Sequence, residues 1–294
     1  MNLLPQALID GILIGGIYIT FSIGFSLAFG VMHIIDFAVG EWVMLGAFLG
    51  FYLNGWLGID TILFLPVVFI VFGCIGYLLQ PIIYRVLSGT RGNPRLMGLV
   101  FTFGIALMIQ GLGLTFFGFY SHTIKTFLTA GCLQFSIAGS YITIPIVRLA
   151  ALIYALAITF GLSYLLKKTD FGIAVRAVAQ HRDAAALMGI NIKKTSSYIY
   201  AIYVGISAMT GILLGSVFSI TAQMGGNYTI LAFFVVVLAG MGYLPGVPWA
   251  AFLLGIVQSL FLIYFNPDWT LLAVFTILFL ILIISPKGLF GRGI

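Results

Sequence analysis

The sequence predicts an all-α protein, a polytopic bundle of helices that cross a membrane. Of its 294 residues, 62% are hydrophobic and only 7% are charged, whereas soluble domains carry about 25% charged residues. Apolar runs recur along the chain at roughly the 20 residues needed to cross a bilayer. The 36 glycines fit this class, because small residues let lipid-embedded helices approach closely. We therefore expect one transmembrane domain over residues 1–294, with about eight or nine spanning helices.

The first half of the chain begins with an expected span over residues 3–29 that is followed by a polar interruption. This first break, residues 30–41, reads GVMHIIDFAVGE and holds His33, Asp36 and Glu41 between two apolar stretches. It is either a connecting loop or non-helical backbone at membrane depth, which proteins tolerate where it lines a cavity. The remaining spans expected in this half cover residues 42–57, 62–84 and 96–119.

The second half also contains a long span followed by a break and a shorter run. A mixed segment, residues 120–141, precedes a span over residues 142–166 and then a charged stretch. The second break, residues 223–227, is Gly-rich and separates a span from a short apolar run. The other runs expected in this half cover residues 198–221, 228–239, 249–265 and 269–284.

The two breaks predict a transport pathway, because Gly- or Pro-interrupted apolar segments at corresponding positions of two halves mark the binding sites of transporters. No residue-level repeat accompanies them. Helix capping is the alternative role for Asp36 and Glu41, since intramembrane acids are functional only where they are embedded. The candidate pathway residues are Asp36, Gly40, Glu41, Gln223, Gly225, Gly226, Asn227 and Gly240.

A charged stretch of residues 167–195, here called the polar island, carries six of the 13 basic residues. Within it, an apolar stripe at i, i+3, i+4 and i+7 predicts a short helix. That stripe consists of Phe171, Ala174, Val175 and Val178. Arg176, Gln180 and Asp183 fall on another face of the helix. The island is either a solvated loop or an element that a partner grips.

The basic residues also predict the orientation of the chain. They concentrate in a connector with Arg85, Arg91 and Arg95, in the polar island and in the tail with Lys287 and Arg292. Positive loops stay in the cytoplasm, and an even number of spans separates the three. Nine spans, with the first break as a true loop, would then place Met1 outside. If the first break only dips into the membrane and returns, the number of spans and the side of Met1 both change. The net charge of +6 therefore reflects membrane orientation, and we expect no nucleic-acid partner.

No pattern in the sequence predicts catalysis. The chain has no Gly-Lys dipeptide and hence no phosphate-binding loop, and no HExxH, paired-cysteine or serine-elbow motif. Cys74 and Cys132 are too few and too far apart for a zinc site or a disulfide framework. The start of the chain lacks a basic region ahead of its apolar run, so we expect the first span to be retained.

The segment DAAALMG, residues 183–189, fits the EAA---G pattern of permease subunits of bacterial ABC importers, with Asp in place of Glu. Order and spacing along almost the whole chain resemble the LivH-like permeases of branched-chain amino-acid importers. The resemblance is carried by IDFAVGEWVMLGAFLG (35–50), RGNPRLMGLVFTFG (91–104), the island through TGILLG (210–215), LAGMGYLPGV (238–247) and SPKGLFGRG (285–293). Asp36 and Val39 depart from the family's usual Asn-Phe-Ala-His-Gly-Glu, which leaves the exact solute open.

The resemblance implies a non-enzymatic transport subunit of the bacterial inner membrane that carries leucine, isoleucine or valine. It implies a second, related permease subunit, two cytoplasmic ATPases that hold the ATP, and an external solute-binding protein. The chain itself would bind no cofactor or metal. The island would be a coupling helix, with Phe171, Arg176, Asp183, Ala184, Ala185 and Gly189 as its coupling residues. Its apolar stripe would face either the rest of the permease or a groove on an ATPase, and Arg176 and Asp183 would contact the rim of that groove.

Two alternatives remain at the level of the sequence. Within the family, the solute is alternatively urea or a short-chain amide. Outside it, an ion-coupled secondary carrier would use Asp36 and Glu41 as its proton or sodium site.

Overall fold

A computed structural model describes residues 4–87, 94–137, 140–265 and 268–290. The described residues form eleven helices and one antiparallel hairpin, together with three short 3-10 turns. The helices are α1 (Leu4–Met32), α2 (Val39–Leu57), α3 (Leu65–Leu87), α4 (Pro94–Phe117), α5 (Ile146–Lys168), α6 (Asp170–Gln180), α7 (Arg182–Leu187), α8 (Ile192–Val217), α9 (Met224–Ala239), α10 (Val247–Tyr264) and α11 (Asp268–Ile284); the strands are β1 (Cys132–Ile137) and β2 (Ser140–Pro145).

Length and composition make this a multi-pass membrane protein. Six of the described helical segments are long and apolar enough to cross a bilayer, and two shorter helices, Met224–Ala239 and Trp269–Ile284, are also apolar. The outer helices expose apolar side chains that lipid can cover, with only 17% of the apolar stretches of α3 and α5 buried. The same stretch of α1 is 89% buried and that of α8 78%. These two helices therefore form the centre of the bundle.

Small residues let the helices pack closely around this centre. A Cβ on Gly11 of α1 would lie 2.5 Å from the Cα of Ile256 in α10. In the same way, a Cβ on Gly211 of α8 would lie 2.0 Å from the carbonyl oxygen of Val43 in α2. Interfaces of small residues are typical of helices in lipid, where van der Waals packing replaces the hydrophobic effect.

The two halves of the chain pack in an equivalent manner. Helix α1 makes its largest contact with α10, and α8 makes its largest contact with α3. Helices α8, α9 and α10 have the same order in the second half as α1, α2 and α3 have in the first. The contact of α1 with α10 is therefore the counterpart of the contact of α8 with α3. Helices α2 and α9 also contact each other. This exchange of contacts is the pattern expected of two related halves.

Side-chain contacts define two opposite ends of the bundle. At one end, Arg182 of the polar island lies against the last residues of α1. At the other, Gln6 near the start of α1 hydrogen-bonds both backbone groups of Thr143 in the hairpin. Helix α1 therefore runs from the hairpin side to the island side. This direction matches the expected placement of the N-terminus opposite the basic loops.

Several expected boundaries differ from the observed ones. The segment expected to be mixed contains the β-hairpin, whose second strand includes residues 142–145, so the following span begins only at Ile146. Helical structure covers half of the first break and leaves residues 33–38 outside helices. In the second half, helix α9 begins at Met224 and the non-helical segment is 218–223. Glycine predicts a helix break poorly here, because Gly225 is needed for close packing within the first turn of α9. Arg91, Asn266, Pro267 and Arg292 lie outside the described residues.

Candidate solute pathway and coupling surface

The first turns of α2 and α9, one from each half of the chain, lie directly against each other. A Cβ on Gly40 would be 1.8 Å from the carbonyl oxygen of Gly225, so only glycine allows this approach. The Gly40 N–H donates to Thr229 Oγ1 over 3.0 Å, and that hydroxyl donates to the Phe37 carbonyl over 3.2 Å. The structure thus brings together the two breaks that the sequence singled out.

This contact lies deep in the bundle. The ring of Tyr228 in the first turns of α9 meets Phe21 edge-on, with centroids 6.1 Å apart. Phe21 is just past the middle of α1 (Leu4–Met32), which is long enough to span the membrane. Helices α2 and α9 therefore both begin near the middle of the bundle. Their N-terminal ends, which carry partial positive charge, point toward the same place.

Asp36 is buried and fully engaged. Its carboxylate accepts a hydrogen bond from the Ala38 N–H over 2.8 Å and another from the Tyr200 hydroxyl over 2.8 Å. The first bond closes a turn that leads into α2, which is a usual role for Asp ahead of a helix. The second ties the first break to α8. Asp36 thus closes a turn ahead of α2 without capping the helix, whose N-cap residue is Ala38.

Glu41 is equally buried, with 3% of its surface exposed, but its carboxylate is not satisfied. Both of its oxygens lie against Gly225, so that an added Cβ there would be 2.4 and 2.5 Å from them. Oε2 has no hydrogen-bond partner among the described residues. A buried carboxylate without a partner is costly, and within a membrane such a group is by default a functional one.

The remaining pathway residues separate into two places. Gln223 and Asn227 are exposed on the outer face at the start of α9, and Gly226 between them has no neighbour within 4 Å of an added Cβ. Gly240 lies at the other end of α9, where it packs against Gly288 of the tail. It has a positive φ of 94° and ends the helix. The structure does not bring it together with Gly40 and Glu41.

The polar island folds into two short helices, α6 and α7, where the sequence indicated a single one. Thr169 caps the first of them by accepting the N–H of Gly172 over 3.1 Å. Val175 and Val178 of the expected apolar stripe are buried, and Phe171 and Ala174 are partly buried. The stripe therefore faces the bundle. The sequence had left open whether it faces the bundle or a partner.

The opposite face of α7 is open and apolar. Leu187 is 89% exposed and Met188 is 83% exposed, beside the exposed Asp183 and Ala184. Ala185 is buried and fixes α7 to the bundle. Gly189 ends this region with φ of 84° and no neighbour within 4 Å of an added Cβ. Its conformation, rather than close packing, accounts for the glycine. Exposed apolar residues that lie together are typical of surfaces that bind a protein partner or a membrane.

Two arginines of the island bind the ends of membrane helices. Arg182 Nη2 donates to the carbonyls of Val31 and Met32 over 3.2 Å each, and Arg176 donates to the carbonyl of Leu166 at the end of α5. Arg176, which is expected at the rim of a partner contact, caps the end of α5, the helix that precedes its own. No local pattern predicts the role of Arg182, because its partners are 150 and 151 positions away along the chain.

Comparisons with known proteins place this geometry in context. A model of the family described as "Branched-chain amino acid transport system / permease component" matches residues 7–283. The chain is 27% identical to the "High-affinity branched-chain amino acid transport system permease protein BraD" of Pseudomonas aeruginosa, over 98% of this chain and 95% of that protein. It is 25% identical to LivH of Salmonella typhimurium over the same shares. It is also 25% identical to the probable LivH of Methanocaldococcus jannaschii, over 88% of this chain and 82% of that protein. No solved structure matches the chain.

Proposed function

The chain belongs to the family of permease components of branched-chain amino acid transport systems, and on that premise we propose that it carries leucine, isoleucine and valine across the bacterial inner membrane. It works as one subunit of an ATP-driven importer, beside a second, related permease subunit. Two ATPases dock on its cytoplasmic side, and an external binding protein delivers the solute. The chain holds no cofactor, since ATP binds to the partner subunits.

The observation that carries this proposal is the Glu41 Oε2 atom, buried where α2 and α9 meet and without a hydrogen-bond partner in the described part of the chain. An amino acid presents an ammonium and a carboxylate at one carbon. Glu41 supplies a negative charge for the ammonium. The N-terminal turns of α2 and α9 supply N–H groups and partial positive charge for the carboxylate. Asp36 is fully bonded and takes no part in binding the solute.

The contact between Gly40 and Gly225 represents a closed pathway. With an added Cβ 1.8 Å from the opposing carbonyl oxygen, the two backbones leave no room between them for a solute. Passage requires α2 and α9 to separate, and the separation exposes Glu41. A low-affinity passage of this kind suits a permease, because tight binding would slow release.

The exposed polar residues at the start of α9 support a pathway at the surface of this subunit. Gln223 and Asn227 are exposed at a depth where lipid would be an unfavourable neighbour for them. They face the second permease subunit, so that solute passes between the two. Accordingly Asn227→Leu is expected to cut uptake about tenfold, the equivalent of one lost hydrogen bond to a charged group, while assembly stays intact.

The polar island couples this pathway to ATP hydrolysis. Its buried stripe holds it to the bundle, and its exposed Leu187 and Met188 offer an apolar ridge to a groove on an ATPase, a common mode of helix recognition. The positive charge of the island keeps it in the cytoplasm. Asp183 and Gly189 complete the contact, one by charge and the other by shaping the turn.

Uptake by the complete transporter, reconstituted in vesicles with its partner proteins, tests the function. ATP-dependent uptake of leucine, isoleucine and valine should exceed that of urea, acetamide and charged amino acids. Uptake of urea or an amide without leucine would leave the family intact and refute the solute. Uptake that persists without ATP and collapses with an ion gradient would indicate an ion-coupled carrier, for which Glu41 is the suitable ion site.

A further inference from the structure

We infer that Arg182 is the positioning residue through which the polar island moves α1 and the first break. The inference rests on the proposed role of the island as the docking site of an ATPase. It assigns the mechanical connection between that docking site and the contact of α2 with α9.

The connection begins at the end of α1. The last carbonyls of a helix have no partner within the helix, and they carry partial negative charge. Arg182 Nη2 lies 3.2 Å from the carbonyl oxygens of both Val31 and Met32. A charged donor forms a stronger hydrogen bond than a neutral one. The island is therefore bonded directly to the most deeply buried helix of the bundle.

Arg182 is also the first residue of α7, the helix that carries the exposed apolar ridge. Leu187 and Met188 at the end of α7 point outward, while Ala185 between the two ends is buried. A helix this short moves as one rigid body. A displacement imposed on Leu187 and Met188 therefore reaches Arg182 without being absorbed on the way.

The residue that follows α1 ends the helix in a left-handed conformation. His33 has φ of 53°, the left-handed conformation that few residues other than glycine adopt. Its N–H donates to the Phe29 carbonyl over 2.8 Å. From this point the chain leaves α1 and enters the segment that carries Asp36 and Gly40. Movement of the last carbonyls of α1 thus acts directly on the closed contact.

The second arginine of the island has a different connection. Arg176 caps the carbonyl of Leu166 in α5, and α5 leads only into the island itself. No break follows α5, so this bond connects the island to the pathway only through the packing of α5 on α1. The two arginines therefore bond to different helices, although both cap a helix end.

The test compares solute uptake with ATP hydrolysis in vesicles that contain the complete transporter. Arg182→Met removes the donor and keeps an unbranched stem. We expect the ATPases to remain bound and to hydrolyse ATP, while solute transported per ATP falls about tenfold or more, within the usual range of coupling between sites. Arg182→Lys keeps a charged donor and should recover most of that ratio. Lys194→Met, which removes an exposed charge of the same island, should keep the full ratio.

A wild-type ratio in Arg182→Met overturns the inference. So does an equal loss in Lys194→Met, because coupling would then depend on the overall charge of the island. A tether provides a test that does not depend on the methionine variant assembling. With Arg182→Cys and Val31→Cys in a chain lacking Cys74 and Cys132, a short bifunctional thiol reagent should restore the ratio and its reductive cleavage should abolish it. No effect of the tether also overturns the inference.

Failure of the docking proposal gives a different result. If Leu187→Asp with Met188→Asp leaves the ATPases bound, the island is not their docking site. If those changes release the ATPases and Arg182→Met keeps the wild-type ratio of solute transported per ATP, only the assignment of Arg182 is wrong.

Discussion

Gly40 of α2 and Gly225 of α9 lie backbone against backbone, so close that a Cβ on Gly40 would be 1.8 Å from the Gly225 carbonyl oxygen. The contact joins residues 185 positions apart at the start of two helices. It is held by Thr229, which bonds the Gly40 N–H and the Phe37 carbonyl. Closure of the proposed pathway therefore depends on the absence of two side chains.

The first prediction concerns this close contact. Gly40→Ala pushes the backbones of α2 and α9 apart and should destabilise the closed form by about 3 kcal/mol, as expected for overpacking. Gly226→Ala, at a position with open space, is the matched control and should leave stability unchanged. Thermal unfolding of the purified protein in detergent measures both. Equal unfolding temperatures for the two variants would show that α2 and α9 are not in contact.

The second prediction distinguishes the two buried acids. Asp36→Asn disturbs the bonds to Ala38 and Tyr200 and should cost about 1–2 kcal/mol of stability. Glu41→Gln removes a buried carboxylate whose Oε2 has no hydrogen-bond partner among the described residues, so stability should stay the same or rise, while amino-acid uptake is lost. Unfolding temperature and uptake are measured on both variants. Uptake that survives Glu41→Gln would remove the carboxylate from the solute pathway.

The third prediction concerns the outer face of α7. Leu187→Asp combined with Met188→Asp should release the ATPases, because an apolar anchor becomes charged at the centre of the contact. Gly189→Leu should weaken binding by about 1–2 kcal/mol, the cost of a left-handed conformation for an L-residue. Co-purification of the ATPases measures both effects. Leu187→Met serves as the control, and its loss of binding would argue against a simple apolar ridge.

The fourth prediction concerns orientation. In a chain lacking Cys74 and Cys132, a cysteine at Gln180 should be shielded from an impermeant thiol reagent in intact cells, and one at Ser121 should react. Both native residues are exposed, so access to the side chain does not bias the result. Labelling of the Gln180 position from outside would overturn the orientation and the role of the island with it.

Sequence reasoning located most spans and both breaks because their signals are local. Apolar runs of membrane length and a concentration of basic residues require no knowledge of neighbours. The β-hairpin was missed because residues 120–141 have mixed composition with no clear alternation. The start of α9 was placed too late because Gly225 was interpreted as a helix breaker, and only its contact with Gly40 explains it.

The sequence by itself determined that this is a helical membrane permease, since hydrophobicity, charge distribution and family motifs are properties of short stretches. The tertiary structure alone decided which of the two buried acids, Asp36 or Glu41, has hydrogen-bond partners for its carboxylate. Asp36 and Glu41 are both acids of the first break, and they are distinguished by the residue beside each. Tyr200 from α8 lies beside Asp36, and Gly225 from α9 lies beside Glu41. It also decided that Arg182 reaches the end of α1. Contacts between residues more than 100 positions apart depend on how the helices pack, which no local pattern records.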